Sequence, residues 1–321
     1  MLAILALLAS VQAYTREVGS SVAGRARSYR ETVDEHRFAY LLFMPTLLFI
    51  VGLIWLPFLR GIWMSLHSWP LLGGQEWVGL GNYEYLFGWQ PFITSLKATL
   101  VYAFTTFLQL ATALLAALVL KNQKRFKNLI NGTFLLPYTM PPVVTGAIWL
   151  YLLNPNVGPF FTALTEFGVL EKAIYWGTEG QAAMAVVMGV LAWTFWPFMF
   201  LIILASLENI PEEHYETARV YGAGRIQQFL KVTLPQLKSA ILVAVSIRMV
   251  WNLTKISQPL QLTGGGPGYD TSILAVLVYR FGWLQGSMGR AFAVGVILLI
   301  VTLGFIVLFI REFEREAGAG R

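Results

Sequence analysis

The chain has 321 residues, of which 56% are hydrophobic and only 12% charged, with a net charge of +6 and no cysteine. Soluble globular chains carry about 25% charged residues, so this halving of charge points to a polytopic membrane protein. The absence of cysteine excludes disulfides, thiolate metal sites and a cysteine nucleophile. His36, His67 and His214 are the three histidines, and no two share a metal-ligand spacing. A positive balance could suit nucleic acid, but the basic residues sit in short blocks at the ends of apolar segments, which suits membrane orientation.

Residues 1–13 are apolar but short and lack a basic start, so they fit a signal-peptide core poorly. At about 1.5 Å rise per residue they fall short of a hydrocarbon core about 30 Å thick. They are read as a peripheral or dispensable start to an N-terminal arm over 1–37 that carries Arg16, Arg25, Arg27, Arg30 and Arg37. Six apolar segments of spanning length follow: 38–59, 92–120, 129–153, 181–207, 239–260 and 291–310. Pro45, Pro57, Pro137, Pro141, Pro142 and Pro197 fall inside them. Proline frees a carbonyl and kinks a helix, which a membrane bundle tolerates beside a neighbouring helix or a cavity. The kinks suit an internal pathway, although proline is common in membrane helices generally.

Sixteen of the 23 Lys and Arg lie in the N-terminal arm, the loop after the second segment, the loop after the fourth, and the tail at 313–321 with Arg311 just before it. The excess of positive charge on that side places both termini and the 208–238 stretch in the cytoplasm, as an even number of spans requires. On the other side, Trp55, Trp63, Trp69, Trp77 and Trp89 crowd one region. They read as an interfacial aromatic belt or as sugar-stacking surfaces. The Gly-rich run Thr263-Gly264-Gly265-Gly266-Pro267-Gly268 lacks the Lys-Ser/Thr ending of a phosphate loop, so no nucleotide site is read there. No catalytic constellation is visible either.

The polar stretch 208–238 separates two spans. Pro211 suits a first helical position, and Glu212, Glu213 and Glu216 follow where acidic groups oppose the helix dipole. Gly222 and Gly224 break that helix, and Ile226, Phe229 and Leu230 form an apolar stripe on a second short one that Leu234-Pro235 ends. An amphipathic helix on the inner leaflet explains the stripe but not the acidic half; a protein partner explains both.

Glu216-Thr217-Ala218, Gly222 and Val232-Thr233-Leu234-Pro235 resemble, at matching spacing, the E-A-A loop of the inner membrane subunits of binding-protein-dependent ATP-binding-cassette importers. Thr217 and Val232 are conservative departures, and Tyr221 stands where many members have Asp. Val78-Gly79-Leu80-Gly81-Asn82-Tyr83, Leu136-Pro137, Asn154-Pro155 with Gly158, and Leu262 to Pro267 are similar to the carbohydrate-uptake branch, including maltose- and glycerol-phosphate-type permeases. The resemblance covers the chain after about residue 38. It implies an all-α polytopic fold of six core transmembrane helices like that of type I ABC importer permeases, with a permease domain over 38–312 in the cytoplasmic membrane. It implies that Glu216, Ala218, Gly222, Leu234 and Pro235 couple the chain to an ATPase. It also implies a homologous second permease subunit, two ATPase subunits that bind ATP and Mg, and an extracytoplasmic solute-binding protein, with no cofactor in this chain and no catalysis of its own. The implied cargo is a sugar or oligosaccharide, with an anionic sugar derivative or glycerol phosphate as the alternative. A secondary transporter would need an acidic residue in mid-span, and none is present.

By the same resemblance, Thr194, Phe195, Phe198, Arg248, Asn252 and Lys255 line the cargo site. Polar groups inside a membrane are expensive and usually face a cavity. Arg248, Asn252 and Lys255 follow the spacing of one helix face, and aromatic faces beside hydrogen-bonding groups suit a sugar. Asn252 and Lys255 could instead bind helices together or reach the outer surface.

Overall fold

A computed structural model describes residues 36–319 apart from 71, 122 and 124. The readings of residues 1–13 and of the arm up to residue 35 lie outside the described residues. The chain divides into two units at Gly61 and Ile62. The described part of the first unit is most of helix α1 (Arg37–Ser65), 29 residues long. Its side chains are apolar around almost the whole circumference, as suits a helix within a membrane.

The second unit begins with a two-residue antiparallel pairing, β1 (His67–Ser68) with β2 (Glu76–Trp77), then α2 (Gly81–Gly88). The motif around Asn82 has a structural use here. The Asn82 side-chain amide donates to the carbonyls of Ser65 (2.8 Å) and His67 (2.9 Å), holding the turn shut. Next come α3 (Gln90–Lys121), α4 (Lys127–Thr139), α5 (Pro142–Leu152), α6 (Pro159–Glu166) and α7 (Gly180–Glu208). The remaining helices are α8 (Glu212–Val220), α9 (Arg225–Thr254), α10 (Ser257–Thr263), α11 (Leu274–Leu284) and α12 (Met288–Ala319). Among the described residues, five helices, α1, α3, α7, α9 and α12, are long and apolar enough to cross a membrane, and α4 with α5 makes a sixth if the pair is one bent span.

Proline places the breaks. Segment 129–153, expected as one span, is two helices bent by 94°. Pro141 and Pro142 force the residues before them out of helical geometry, and Met140 (ψ 136) and Pro141 (ψ 133) are extended accordingly. The fifth segment does not run to residue 260; α9 ends at Thr254 and Lys255 is extended (φ −81, ψ 102). Pro259 lacks the N–H that would have bonded the Lys255 carbonyl four residues back. That carbonyl accepts instead from the Tyr102 hydroxyl at 3.4 Å. Nor does Leu234-Pro235 end a helix. α9 runs through it by way of a π-helical turn, Phe229–Thr233. α1 has the same arrangement, with a π turn at Val51–Trp55 and Pro57 two residues beyond. The widened turn makes room for the proline ring without breaking the helix.

The core lies where α3, α7 and α9 meet. Ala113 and Ala117, one turn apart on α3, pack among Met199, Phe200, Ile203 and Leu207 of α7 and Leu237 and Ala244 of α9. Small residues let backbones approach closely, which substitutes for hydrophobic driving force inside lipid. A second cluster joins the first half of α7 to α3, α10 and α11, and a third joins α2, α11 and α12 to the end of α9. At the edge of the third cluster, a Cβ on Gly289 would lie 2.0 Å from the His67 carbonyl oxygen. Gly289→Ala is therefore expected to cost about 1–3 kcal/mol through overpacking, measured as an earlier thermal unfolding transition of the purified protein.

The turn after α10 is stapled rather than open. Gly264, Gly265 and Gly268 adopt positive φ, Thr271 donates to the Gly266 carbonyl (2.7 Å), and Arg280 from α11 donates to that of Gly264 (2.7 Å). α11 itself was not anticipated. It is too short to span a membrane, and its buried side Leu274, Leu277 and Phe281 packs against α12.

Candidate functional site

Where α9 breaks, three helices contribute to one polar network. Arg248 is 1% exposed and Asn252 fully buried, one turn apart on α9. The Arg248 guanidinium donates through Nε to Gln109 Oε1 (3.2 Å) and through Nη2 to Asn252 Oδ1 (2.5 Å). The Asn252 amide in turn donates to Gln109 Oε1 (3.0 Å) and Thr106 Oγ1 (2.8 Å). Gln109 closes the network by donating to the Leu191 carbonyl of α7 at 3.2 Å. A single amide thus connects α3, α7 and α9. Each neutral partner meets part of the demand of a buried cation, which would otherwise be costly in a membrane.

Above this network opens a pocket of ≈ 320 Å³, lined by Tyr138, Phe195, Arg248, Trp251, Thr254 and Lys255. The Arg248 guanidinium lies 4.7 Å from the centre of the Phe195 ring, and Lys255 Nζ lies 4.9 Å from the same centre. Both contacts are in cation–π range. Phe198 packs on Trp251 with centroids 4.9 Å apart and approaches Tyr138 at 6.4 Å, bracing the wall from behind.

Of the residues expected at the cargo site, the structure brings Phe195, Arg248 and Lys255 to the pocket wall. Asn252 lies beneath and orients Arg248. Thr194 is turned away, its buried hydroxyl donating to the Val190 carbonyl of its own helix at 2.7 Å. Lys255 reaches the pocket from the extended break, not from a shared helix face. Gln109, Thr106, Tyr138 and Trp251 were not foreseen. Gln109 did carry a signal: it is a lone amide in mid-helix, and polar groups there seldom face lipid.

The second candidate region is the 208–238 stretch. α8 starts after Pro211 (φ −59) with Glu212 and Glu213 in its first turn. Arg219 reaches back to Glu212 (3.1 Å) and Glu216 (3.9 Å). These pairs are exposed and contribute little to stability. Gly222 at φ +76 ends the helix, with the N–H of Gly222 donating to the Arg219 carbonyl and that of Ala223 to the Ala218 carbonyl, both 2.9 Å. This left-handed ending satisfies the last carbonyls, and glycine adopts it without steric cost. The tip is apolar and bare, with Val220 and Tyr221 each 86% exposed and Ile226 76%.

The base of the stretch is fixed. Buried Tyr215 pairs its hydroxyl with Thr233 Oγ1 (3.0 Å) and lies under Lys121 Nζ (4.1 Å to the ring centre). Lys127 pairs with Glu208 at 2.5 Å. These contacts tie α8 to α9 through Thr233 and to the end of α3 through Lys121, and the end of α7 to the start of α4. Leu234 and Pro235 lie within α9 just beyond Thr233, away from the tip. Glu216 is exposed and Ala218 half-buried.

Helices long and apolar enough to cross a membrane, a polar pocket among them and a polar helix pair between two of them fit a transport subunit. The chain matches the family of binding-protein-dependent transport system inner membrane components over residues 109–313, more than half its length, and belongs to that family. The probable ABC transporter permease protein YurN of Bacillus subtilis is 29% identical over 279 residues, spanning 86% of this chain and 95% of that one. The trehalose/maltose transport system permease protein MalF of Thermococcus litoralis is 29% identical over 287 residues, 88% and 96% of the two chains. Among solved structures, a chain of a bacterial ABC transporter involved in the import of the acidic polysaccharide alginate superposes with a TM-score of 0.76. It covers 89% of this chain and 98% of that one at 22% identity. The fold is that of a type I ABC importer permease.

Proposed function

We propose that this chain is the translocation subunit of an ATP-driven importer that carries a sugar or oligosaccharide across the cytoplasmic membrane by alternating access. The observation that carries this reading is the pocket at the break of α9, which combines aromatic walls with hydrogen-bond donors in a chain of this family. Aromatic faces suit the apolar faces of a sugar ring, and the donors suit its hydroxyl edges. The trehalose/maltose assignment of the Thermococcus relative supports the same class.

In this reading both termini and α8 face the cytoplasm, where positive charge concentrates. The working assembly holds a second, homologous permease subunit, two ATPase subunits and an extracytoplasmic solute-binding protein. ATP and Mg belong to the ATPase subunits, and this chain has no catalytic role. Closure of the ATPase pair pushes on Glu216, Ala218 and Gly222, and the push passes through Leu234 and Pro235 into α9. Because α9 carries Arg248 and Asn252, the same motion reshapes the cargo pocket. A ligand shifts such an equilibrium only by its differential affinity for the two states, so the pocket must be coupled to the lever, and α9 is the continuous element that joins them.

The experiment is uptake into vesicles containing the chain with its partner subunits. ATP-dependent saccharide uptake that survives collapse of ion gradients is expected. Uptake that continues without ATP but stops when the gradients collapse would assign the chain to secondary transport instead.

A further inference from the structure

Arg248 and Lys255 present an electrostatic problem that the protein leaves open. Two cations share one aromatic ring at 4.7 and 4.9 Å. Only two of the five guanidinium N–H donors are taken, both by neutral amide oxygens. Among the described residues no carboxylate pairs with either cation. Described acidic residues in ion pairs include Glu208, Glu212, Glu216 and Glu312, which pair with Lys127, Arg219, Lys238 and Arg315. None of these lines the pocket.

Buried charges are normally paired, and inside a membrane an unpaired one is costly. Two like charges facing one pocket add mutual repulsion to that cost. Neither cation is required to hold the helices together here. Asn252 donates to Gln109 and Thr106 of α3, and Gln109 donates to the Leu191 carbonyl of α7, so α3, α7 and α9 are already joined without a charge. The two cations are nevertheless kept at a wall that opens onto ≈ 320 Å³ of space. A guanidinium fork beside an ammonium is the donor set that an anionic oxygen group accepts from.

We infer that the pocket takes the anionic group of a carbohydrate, a uronate carboxylate or a sugar phosphate, between Arg248 and Lys255, with the sugar ring against Trp251. This rests on the carbohydrate-importer reading and narrows it. The Phe195 ring is shared by the two cations. Trp251, 42% exposed, offers more open aromatic surface at the pocket wall than Tyr138 at 37%, although Arg248 also lies 5.7 Å from its ring centre and Phe198 packs on it. Arg248 supplies paired donors, and Lys255, on the non-helical break, supplies a mobile point charge that follows α9 as it moves. Asn252 and Gln109 are positioning residues that fix the plane of the guanidinium.

The test is calorimetric titration of the assembled transporter in lipid nanodiscs with digalacturonate, glucose 1-phosphate and maltose. At least one of the anions is expected to bind about tenfold or more tighter than maltose, as charge-assisted bonds are stronger than neutral ones. The gap should narrow as salt rises, and the anion preferred distinguishes carboxylate from phosphate. Lys255→Gln, at a half-buried position outside any helix, should reduce anion binding about tenfold and weaken maltose severalfold less, because the amide still donates to a hydroxyl but carries no charge. Arg248→Lys keeps the charge but loses the fork, and should weaken the anion without abolishing its preference. Maltose binding as tightly as both anions, or an anion preference untouched by Lys255→Gln, would overturn the anionic assignment and leave the carbohydrate reading standing. Binding of none of the three, with no ATP-driven saccharide uptake, would remove both.

Discussion

Gly222→Asp is expected to reduce ATP-coupled uptake at least about tenfold, equivalent to 1.4 kcal/mol of coupling, while the chain stays folded in the membrane. The structure separates these two outcomes. Gly222 has φ +76 and ends α8, so a side chain there costs on the order of 1–2 kcal/mol. Asp is among the residues that tolerate this conformation best. A Cβ at Gly222 would meet nothing within 4 Å of this chain. An added carboxylate would thus act chiefly on the partner proposed to dock at α8, beside exposed Val220 and Tyr221. Uptake, ATPase activity and thermal stability of the purified assembly check this together. Normal uptake in the variant would show that the tip of α8 is not the lever. An unfolded variant would show that the turn has a larger structural role than its open surroundings indicate.

The second large effect concerns Gln109. Gln109→Leu is expected to destabilise the chain by about 3–5 kcal/mol, the range for removing one partner of a buried ionic network. The change deprives Arg248 Nε and Asn252 Nδ2 of an acceptor and the Leu191 carbonyl of its donor, all inside the membrane. The pair Gln109→Leu with Arg248→Met should recover much of that loss, because replacing both sides of a buried polar contact with apolar groups is close to neutral. The recovered protein should fold and fail to discriminate anionic from neutral saccharides. Thermal unfolding in detergent measures the first effect and saccharide binding the second. If the double variant is less stable than Gln109→Leu alone, Arg248 is holding the helices by contacts other than this network.

These two residues show where sequence reasoning was sufficient and where it was not. Gly222 was legible because its role is local. Acidic residues after Pro211, two glycines and a following apolar stripe describe a short helix that must end in a turn, and the structure places that ending at Gly222. Gln109 stands out in its own helix as a lone mid-helix amide, but nothing local says what it meets. Its partners Arg248 and Asn252 lie 139 and 143 positions along the chain. Pro141 and Pro142 were noted in the sequence, but two consecutive prolines require two extended residues, and a bend of 94° follows. In contrast, Pro57 and Pro235 lie in continuous helices, because a π turn before each absorbs the ring. Pro45, Pro137 and Pro197 also lie inside helices, with no π turn before them, so a proline in a span does not by itself mark a break.

The sequence by itself determined that this chain crosses a membrane repeatedly, and it located α8 by its polarity between apolar spans. Long apolar runs and sparse charge suffice for that, since in lipid every backbone group must be satisfied within a helix. Only the tertiary structure decided which polar residues meet. Periodicity identifies residues that share a face of one helix, but the rotation of one helix against another is set by the packing of Ala113 and Ala117 against α7 and of α9 beside them. That packing turned Thr194 inward, put Gln109 under Arg248, and left Arg248 and Lys255 at a pocket without a counter-charge from the described residues of this chain.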